Sequence, residues 1–568
     1  MALLSTPRAS RSAGAERGTA WRWVLLPLLL LGPFLLWPVG MILWRGVAPE
    51  GTFSLDVVES VAGDRYYWER LGFTAGQAAL STVLAVALGL PAAWVFAQVR
   101  FPLRGVLRAI VTVPFVLPTI VVALAFERLL GPVGWAARAL DGVGMAMPQV
   151  EGTLFAILVA HVFYNVAVVI RVVGGVWANL DPRTIEAAQM LGAGRVRRFT
   201  SVTLPLIAPA VLSASALVFV FCFSSFGTVL LLGGGNPDLD TLEVVIYRLA
   251  TRLVDLPAAS VIAMLQIGTT LLVLLVYARL QHRIARPVSQ QPHRPRRLRD
   301  LAWSQRVFVA LVLLVIVGFV VTPMAALVEG ALTVGNDGAV RLDNFARLFA
   351  DTGNISFIPP VRALQWSLTF AGGAMLIAAV VGLAAGMAVA RGRGLLATLT
   401  DGFLMLPLAV PAVTLGFGYL VTFNREPFDL RGSPWLLLAA HALLGYPFVM
   451  RSVLGPARAL DPMLVQAARV LGASRPRAWL RITLPMISRG VFVGAAFAFA
   501  ISIGEFGATL LLQRAEFATV PVAIYEALGK PGDANLGAAL AMATVLMAVA
   551  AAAFLLIERV RYREVGEF

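Results

Sequence analysis

Runs of about 20 apolar residues recur along the whole chain, broken by short stretches rich in arginine, proline and glycine. Each run is long enough to cross a bilayer as a helix. Spans are predicted at 23–44, 72–97, 107–130, 153–177, 205–232 and 257–280. A second set follows at 306–328, 364–390, 397–422, 434–454, 486–513 and 536–557. The pattern predicts an all-α membrane protein of about 12 transmembrane helices in two parallel six-helix repeats. A tail at 1–22 precedes the first repeat, 23–280. A polar linker, 281–305, with Pro287, Pro292 and Pro295 among arginines, leads to the second repeat, 306–557, and a tail at 558–568.

Charge orients this scheme. The chain is 59% hydrophobic and 14% charged, with a formal net charge of +15. Short cytoplasmic loops of membrane proteins collect arginine and lysine. Loops placed in the cytosol hold Arg100, Arg104 and Arg108, then Arg183, Arg195, Arg197 and Arg198. The linker adds Arg283, Arg286, Arg294, Arg296, Arg297 and Arg299. The far side holds Asp56, Glu59, Asp64, Asp238 and Asp240, beside Arg65 and Arg70. The 423–433 loop runs against the rule, with Arg425 and Arg431 mixed with Glu426 and Asp429. Arg8, Arg11, Arg17 and Arg22 precede the first span without a clear small-residue cleavage site, so that span is expected to be retained. Both termini are expected in the cytosol, and the multi-pass chain in a bacterial cytoplasmic (inner) membrane among its lipids. The basic residues are spread through loops and not gathered in one patch, which excludes a nucleic-acid partner.

One loop occurs twice. The first copy has Asp181-Pro182, Glu186-Ala187-Ala188, Gly192, Val202 and Leu204-Pro205. The second has Asp461-Pro462, Gln466-Ala467-Ala468, Gly472, Ile482 and Leu484-Pro485, at a constant offset (466 − 186 = 280). His161 and His441, Arg171 and Arg451, and Phe226-Gly227 and Phe506-Gly507 share that offset. Ile246-Tyr247 matches Ile524-Tyr525 (524 − 246 = 278), and Pro114 and Pro118 match Pro407 and Pro411 (407 − 114 = 293). The drift is what loop insertions and deletions leave after an ancestral duplication.

Each loop reads as a short helix. Asp can cap free backbone N–H groups, Pro suits the first helical position, and Gly192 or Gly472 suits the end. The spacing Glu-Ala-Ala, three residues, Gly, nine residues, Ile/Val, one residue, Leu-Pro resembles the EAA loop of ABC importer permeases. The resemblance covers nearly the whole chain and implies two fused permease domains of the type I importer fold. It implies that 181–192 and 461–472 are coupling helices docking on two ATP-binding cassette subunits, and that an extracytoplasmic binding protein delivers a small-molecule substrate. The ATPase-coupling residues would be Asp181, Glu186, Ala187, Ala188 and Gly192, with Asp461, Gln466, Ala467, Ala468 and Gly472. Gln466 departs from the pattern's Glu. A neutral amide makes weaker contacts than a carboxylate, so the first loop is expected to dock more tightly. The segments from Leu158 to Val173 and from Phe221 to Ala250 resemble fused permeases for thiamine or its phosphates. Fused ferric-iron permeases share the architecture.

The remaining chemistry is sparse. Cys222 is the only cysteine, so neither a disulfide within the chain nor a multi-cysteine metal site can form. Lys530 is the only lysine; Pro531 follows it and Ile524 stands where a phosphate-binding loop needs Gly. No cofactor, resident metal or enzymatic activity is expected, and ATP hydrolysis falls to separate subunits. Glu505 is the sharpest polar residue inside a predicted span, and Ser225 is its repeat mate. With Ser224, Thr228 and Ser502 it forms the candidate pathway lining; the competing reading is a helix-to-helix bond that fixes packing. His161 and His441 read as packing residues, Tyr164, Asn165 and Tyr446 as pathway or packing groups, and Arg171 and Arg451 as anchors at helix ends. Gly233-Gly234-Gly235 reads as a helix end. A secondary transporter of two parallel repeats is the rival class, and Glu505 would be its strongest ion-coupling group.

Overall fold

The computed structural model describes residues 23–49, 51–284, 295–335, 338–349, 359–392, 394–424 and 429–562. The 1–22 tail, linker residues 285–294, Arg425, Glu426 and residues 563–568 lie outside the described residues. Among the described residues the chain is all-α, with 11 helices long and apolar enough to cross a membrane. They overlap the predicted segments other than 397–422, though 107–130 shares only its second half, Thr119–Leu130, with a long helix. The 397–422 segment is assembled from two shorter helices, Gly394–Leu404 and Ala412–Thr422, around the 3-10 turn Leu406–Ala409. Predicted segment 107–130 is interrupted in the same way, by Val113–Val116 between Arg104–Thr112 and Thr119–Leu130. Pro114, Pro118, Pro407 and Pro411 explain both breaks: proline lacks the N–H that continues a helix and its ring clashes with the preceding turn.

The helices gather into two compact units. One is drawn from 1–45, 358–522 and 552–568, the other from 46–357 and 523–551. In the first, the Pro360–Arg391, Pro434–Ala459 and Leu484–Ile503 helices form the central triangle. The chain's first span packs here too. Leu31 and Leu35 are buried in one core with Tyr419, Leu443 and Val449, and Phe34 and Trp37 rest on Tyr419 and Phe423. In the second unit the matching triangle is Arg65–Gln98, Leu154–Trp177 and Leu204–Phe223. Here Val309 and Ile316 of the Trp303–Thr333 helix complete a core with Ala92, Phe96, Val111 and Ile170. The parallel pairing of Val99-Arg100 with Arg296-Arg297 fixes the entry to that helix.

Small residues close each triangle. A methyl added at Gly89 would lie 2.7 Å from Cβ of Val169, and one at Gly382 would lie 2.5 Å from Cβ of Val449. These are the same contact twice, since Gly89 and Gly382 share the offset of the prolines, and Val169 and Val449 that of the loop. In lipid the drive for helix association is close packing, which a missing Cβ permits. A Cβ at Gly494 would overlap the Val449 backbone, whereas one at Gly372 meets nothing within 4 Å. Gly494→Val is therefore expected to destabilise the fold by about 1–3 kcal/mol, and Gly372→Ala to leave it unchanged. Thermal unfolding in detergent, followed by tryptophan fluorescence, reads both.

Candidate functional site: two capped helices and the polar joints behind them

The duplicated loop folds as its sequence dictates. Pro182–Met190 and Pro462–Val470 are helices of 9 residues each. The Asp181 carboxylate accepts from the Arg183 N–H at 2.9 Å, and the Asp461 carboxylate from the Met463 N–H at 2.9 Å. At the other end Gly192 and Gly472 adopt φ of +80° and +91°, the left-handed region that glycine enters without strain. The Gly192 and Ala193 N–H groups donate back to the Gln189 and Ala188 carbonyls. Gly472 and Ala473 do the same with Arg469 and Ala468. Both helices thus end in the same two-bond left-handed cap.

Their faces are also matched. Glu186 and Ala187, like Gln466 and Ala467, are exposed, while Ala188 and Ala468 turn partly inward. Met190 and Leu191 are each 88% exposed, and Val470 and Leu471 are 87% and 88% exposed. Each capped helix thus leaves two large apolar side chains open at its end. Beneath the first copy, Glu186, Gln189 and Arg198 border a cavity of about 490 Å³ with Trp94, Trp177 and Phe199; the Arg198 guanidinium donates to the Gln189 amide oxygen.

Each helix leads into the next span through a π-turn, Phe199–Thr203 and Trp479–Thr483, directly before Leu204-Pro205 and Leu484-Pro485. The wider turn accommodates the proline, which cannot donate to the preceding turn. The first residue of each π-turn is aromatic. Phe199 stacks on Trp177 at 6.4 Å between ring centroids, and Trp479 meets Trp23 at 5.8 Å.

The spans that follow are themselves interrupted, between Phe223 and Gly227 and between Ile503 and Gly507. Polar groups gather at these joints. In the first half the buried His161 shares hydrogen bonds with Ser81 at 3.1 Å and Ser225 at 2.8 Å. In the second, buried His441 bonds Ser502 at 2.7 Å and Thr509 at 3.0 Å and lies 3.5 Å from the Glu505 carboxylate. Glu505 accepts from the Ala508 N–H at 2.8 Å, the Thr509 N–H at 3.0 Å and the Thr509 hydroxyl. It therefore caps the Gly507–Leu512 helix, where a negative charge meets free N–H groups. The Ser224 hydroxyl donates to the Val220 carbonyl, and Thr228 is buried close by. Among the described residues no group of three His, Cys, Asp or Glu side chains could hold a metal.

Other sequence candidates form hydrogen bonds and ion pairs around these joints. The Tyr164 hydroxyl donates to the Pro118 carbonyl at 3.1 Å, Tyr446 to the Leu404 carbonyl, and Asn165 to His161. Arg451 pairs with Asp401 at 3.2 Å. Gly234 and Gly235 have positive φ just past the Gly227–Leu232 helix, as a helix end requires. Sequence reasoning missed Ser81 and Thr509. A serine or threonine in an apolar helix carries no sign of its partner, although Thr509 stands four residues after Glu505.

Removing the cap tests the joint. Glu505→Ala leaves the buried Ala508 and Thr509 N–H groups without their acceptor, and is expected to cost about 1–3 kcal/mol of stability. Glu505→Gln, which keeps one acceptor oxygen, is expected to cost less. Thermal unfolding of the purified variants checks the order.

A family model described as "Binding-protein-dependent transport system inner membrane component" matches residues 85–287 and 378–563. The chain is 29% identical over 475 residues to the thiamine transport system permease protein ThiP of Brucella abortus (strain 2308), covering 82% of this chain and 83% of that one. It is 27% identical over 475 residues to the protein of that name from Escherichia coli (strain K12), covering 82% and 84%. Against the probable ABC transporter permease protein y4fN of Sinorhizobium fredii (strain NBRC 101917 / NGR234) it is 25% identical over 571 residues, covering 97% and 98%. A solved structure of a bacterial ABC transporter involved in import of the acidic polysaccharide alginate aligns with a TM-score of 0.43 at 18% identity, over 49% of this chain and 100% of that one. The chain belongs to the family of binding-protein-dependent inner-membrane transport components.

Proposed function

From that membership we propose that the chain is the membrane-spanning permease subunit of an ATP-driven importer for thiamine or its phosphates. The names and coverage of the relatives support the substrate. The duplicated capped helix supports the mechanism: two ATP-binding subunits engage Pro182–Met190 and Pro462–Val470 at the cytosolic face, with Asp181, Ala187, Ala188 and Gly192 and their mates Asp461, Ala467, Ala468 and Gly472 shaping the dock. An extracytoplasmic binding protein loads the opposite face. Repeats 23–280 and 306–557, joined by linker 281–305, rock about the path, with both termini in the cytosol. The chain supplies path and transmission; hydrolysis belongs to the partners.

The single observation that carries the reading is the exposed apolar end of each helix held between identical caps. The residues at the joints take two roles. Ser224, Ser225, Thr228 and Ser502 sit beside the path, and Glu505, with its oxygens occupied by N–H and hydroxyl groups, steadies its joint instead of receiving a cation.

The docking asymmetry is tested by uptake in proteoliposomes holding the assembled transporter. Glu186→Ala is expected to lower ATP-dependent uptake about tenfold, the loss of one charge-assisted contact, and Gln466→Ala by less. Equal losses, or a larger loss from Gln466→Ala, count against unequal docking. Uptake driven by an ion gradient through the purified chain alone would replace the importer with a secondary transporter. The substrate is read from the binding protein, whose melting point should rise with thiamine or its phosphates. A rise with ferric iron alone reassigns the cargo.

A further inference from the structure

The cavity of about 490 Å³ beneath the first short helix lies wholly within one compact unit, where three spans begin or end. Trp94 and Gln98 come from the last turns of Arg65–Gln98, and Trp177 ends Leu154–Trp177. Gln305 and Phe308 come from the first turns of Trp303–Thr333. Ends of spans mark the level at which hydrocarbon gives way to water, where tryptophans gather.

The walls are divided by polarity. On the span side the Trp94 and Phe308 rings meet at 5.8 Å between centroids. Phe308 is 44% exposed, and Leu311 and Val315, on the same face of that helix, are 56% and 46% exposed. An apolar track therefore leads from the cavity along the span. On the loop side stand Arg198 and Arg296. The Arg198 guanidinium gives one N–H to the Gln189 amide oxygen, and a guanidinium carries several more. Pairing of Val99-Arg100 with Arg296-Arg297 sets two further exposed arginines, Arg100 and Arg297, next to the wall. Glu186 is the one acid among the described lining residues, so positive charge prevails.

The second half shows the same corner filled by the chain itself. Trp479 stands at the position of Phe199 (479 − 199 = 280), and Arg391 at that of Gln98 (391 − 98 = 293). There the Trp23 ring meets Trp479 at 5.8 Å, and the Arg391 guanidinium lies 5.5 Å over the Trp23 ring. Ala478 stands where the first half has Arg198 (478 − 198 = 280). One half thus supplies its own ring and cation, and the other has a cavity with arginines in its wall.

We propose that this cavity is a site for one anionic phospholipid. Arg198 and Arg296 pair with its phosphate, and its acyl chains lie on Trp94 and along Phe308, Leu311 and Val315. Basic pockets between spans suit anionic headgroups, and the guanidinium fork matches a phosphate. A free phosphate would leave the aromatic half of the cavity unused. The bound lipid fastens Pro182–Met190 to the spans beside it, so the site belongs to the first half alone.

The test uses the purified full chain in detergent, titrated with phosphatidylglycerol or phosphatidylcholine and read by native mass spectrometry, which needs neither substrate nor ATP. One phosphatidylglycerol is expected to stay bound, with phosphatidylcholine retained about tenfold less. Equal retention overturns the site. Arg198→Gln with Arg296→Gln is expected to lower phosphatidylglycerol retention about tenfold. Arg475→Gln with Arg477→Gln, an equal loss of charge after the second short helix, should leave it within about twofold. Equal effects of the two pairs mean diffuse attraction and refute the site. Inorganic phosphate should displace no more lipid than chloride at the same ionic strength; full displacement makes the cavity an anion site and ends the lipid assignment. Should the first pair of variants not fold, Gln305→Glu adds an acid to the same wall and is expected to weaken retention in its place; unchanged retention refutes the site. Added ATP-binding subunits should leave the lipid bound, and its expulsion would assign the cavity to them instead.

Discussion

A carbonyl or amide freed from its helix inside lipid has no water to turn to, and this chain frees several. Irregular backbone at membrane depth survives only where protein satisfies it. Each break has its own remedy here. Tyr164 and Tyr446 reach the carbonyls of Pro118 and Leu404, at the proline breaks of the third span in each half. Gln77 donates to the Cys222 carbonyl at 2.8 Å, and Thr241 to that of Ser225 at 3.1 Å, where the fifth span of the first half stops. Glu505 receives the N–H groups where its counterpart resumes. Several buried polar residues of this protein serve the joints in its spans.

The two halves keep the same joints but fill them differently. Glycine against valine recurs without change at Gly89–Val169 and Gly382–Val449. The histidine recurs too, yet its company does not. His161 has two serines, one of them Ser81 from the second span, whereas His441 has a serine, a threonine and an acid, all from the fifth. The duplicated short helices show the same drift, with Glu186 facing out in one and Gln466 in the other. Duplication set the geometry, and later divergence acted on the polar groups.

The legible part of the fold was local and periodic. Asp-Pro at one end and Gly at the other marked where both short helices start and stop, because capping depends on a few neighbouring atoms. Spans were legible from length and apolarity. What joined them was not. Leu31 and Leu35 look like any lipid-facing leucines, and nothing in them states that Tyr419 and Leu443 will cover them. Glu505 was visible as an anomaly, but two readings fitted it equally until its oxygens were seen on Ala508 and Thr509. The third span of each half read as continuous despite its prolines, since membrane helices tolerate proline when neighbours supply the missing bonds.

The placing of the first span bears on how the protein is made. Helix Trp23–Val47 lodges through Leu31 and Leu35 against residues encoded far downstream, among them Tyr419, Leu443 and Val449. Ribosomes add roughly 5–20 residues per second. That helix therefore waits in the bilayer for tens of seconds before its binding surface has been synthesised. The second half then closes around a helix made long before it.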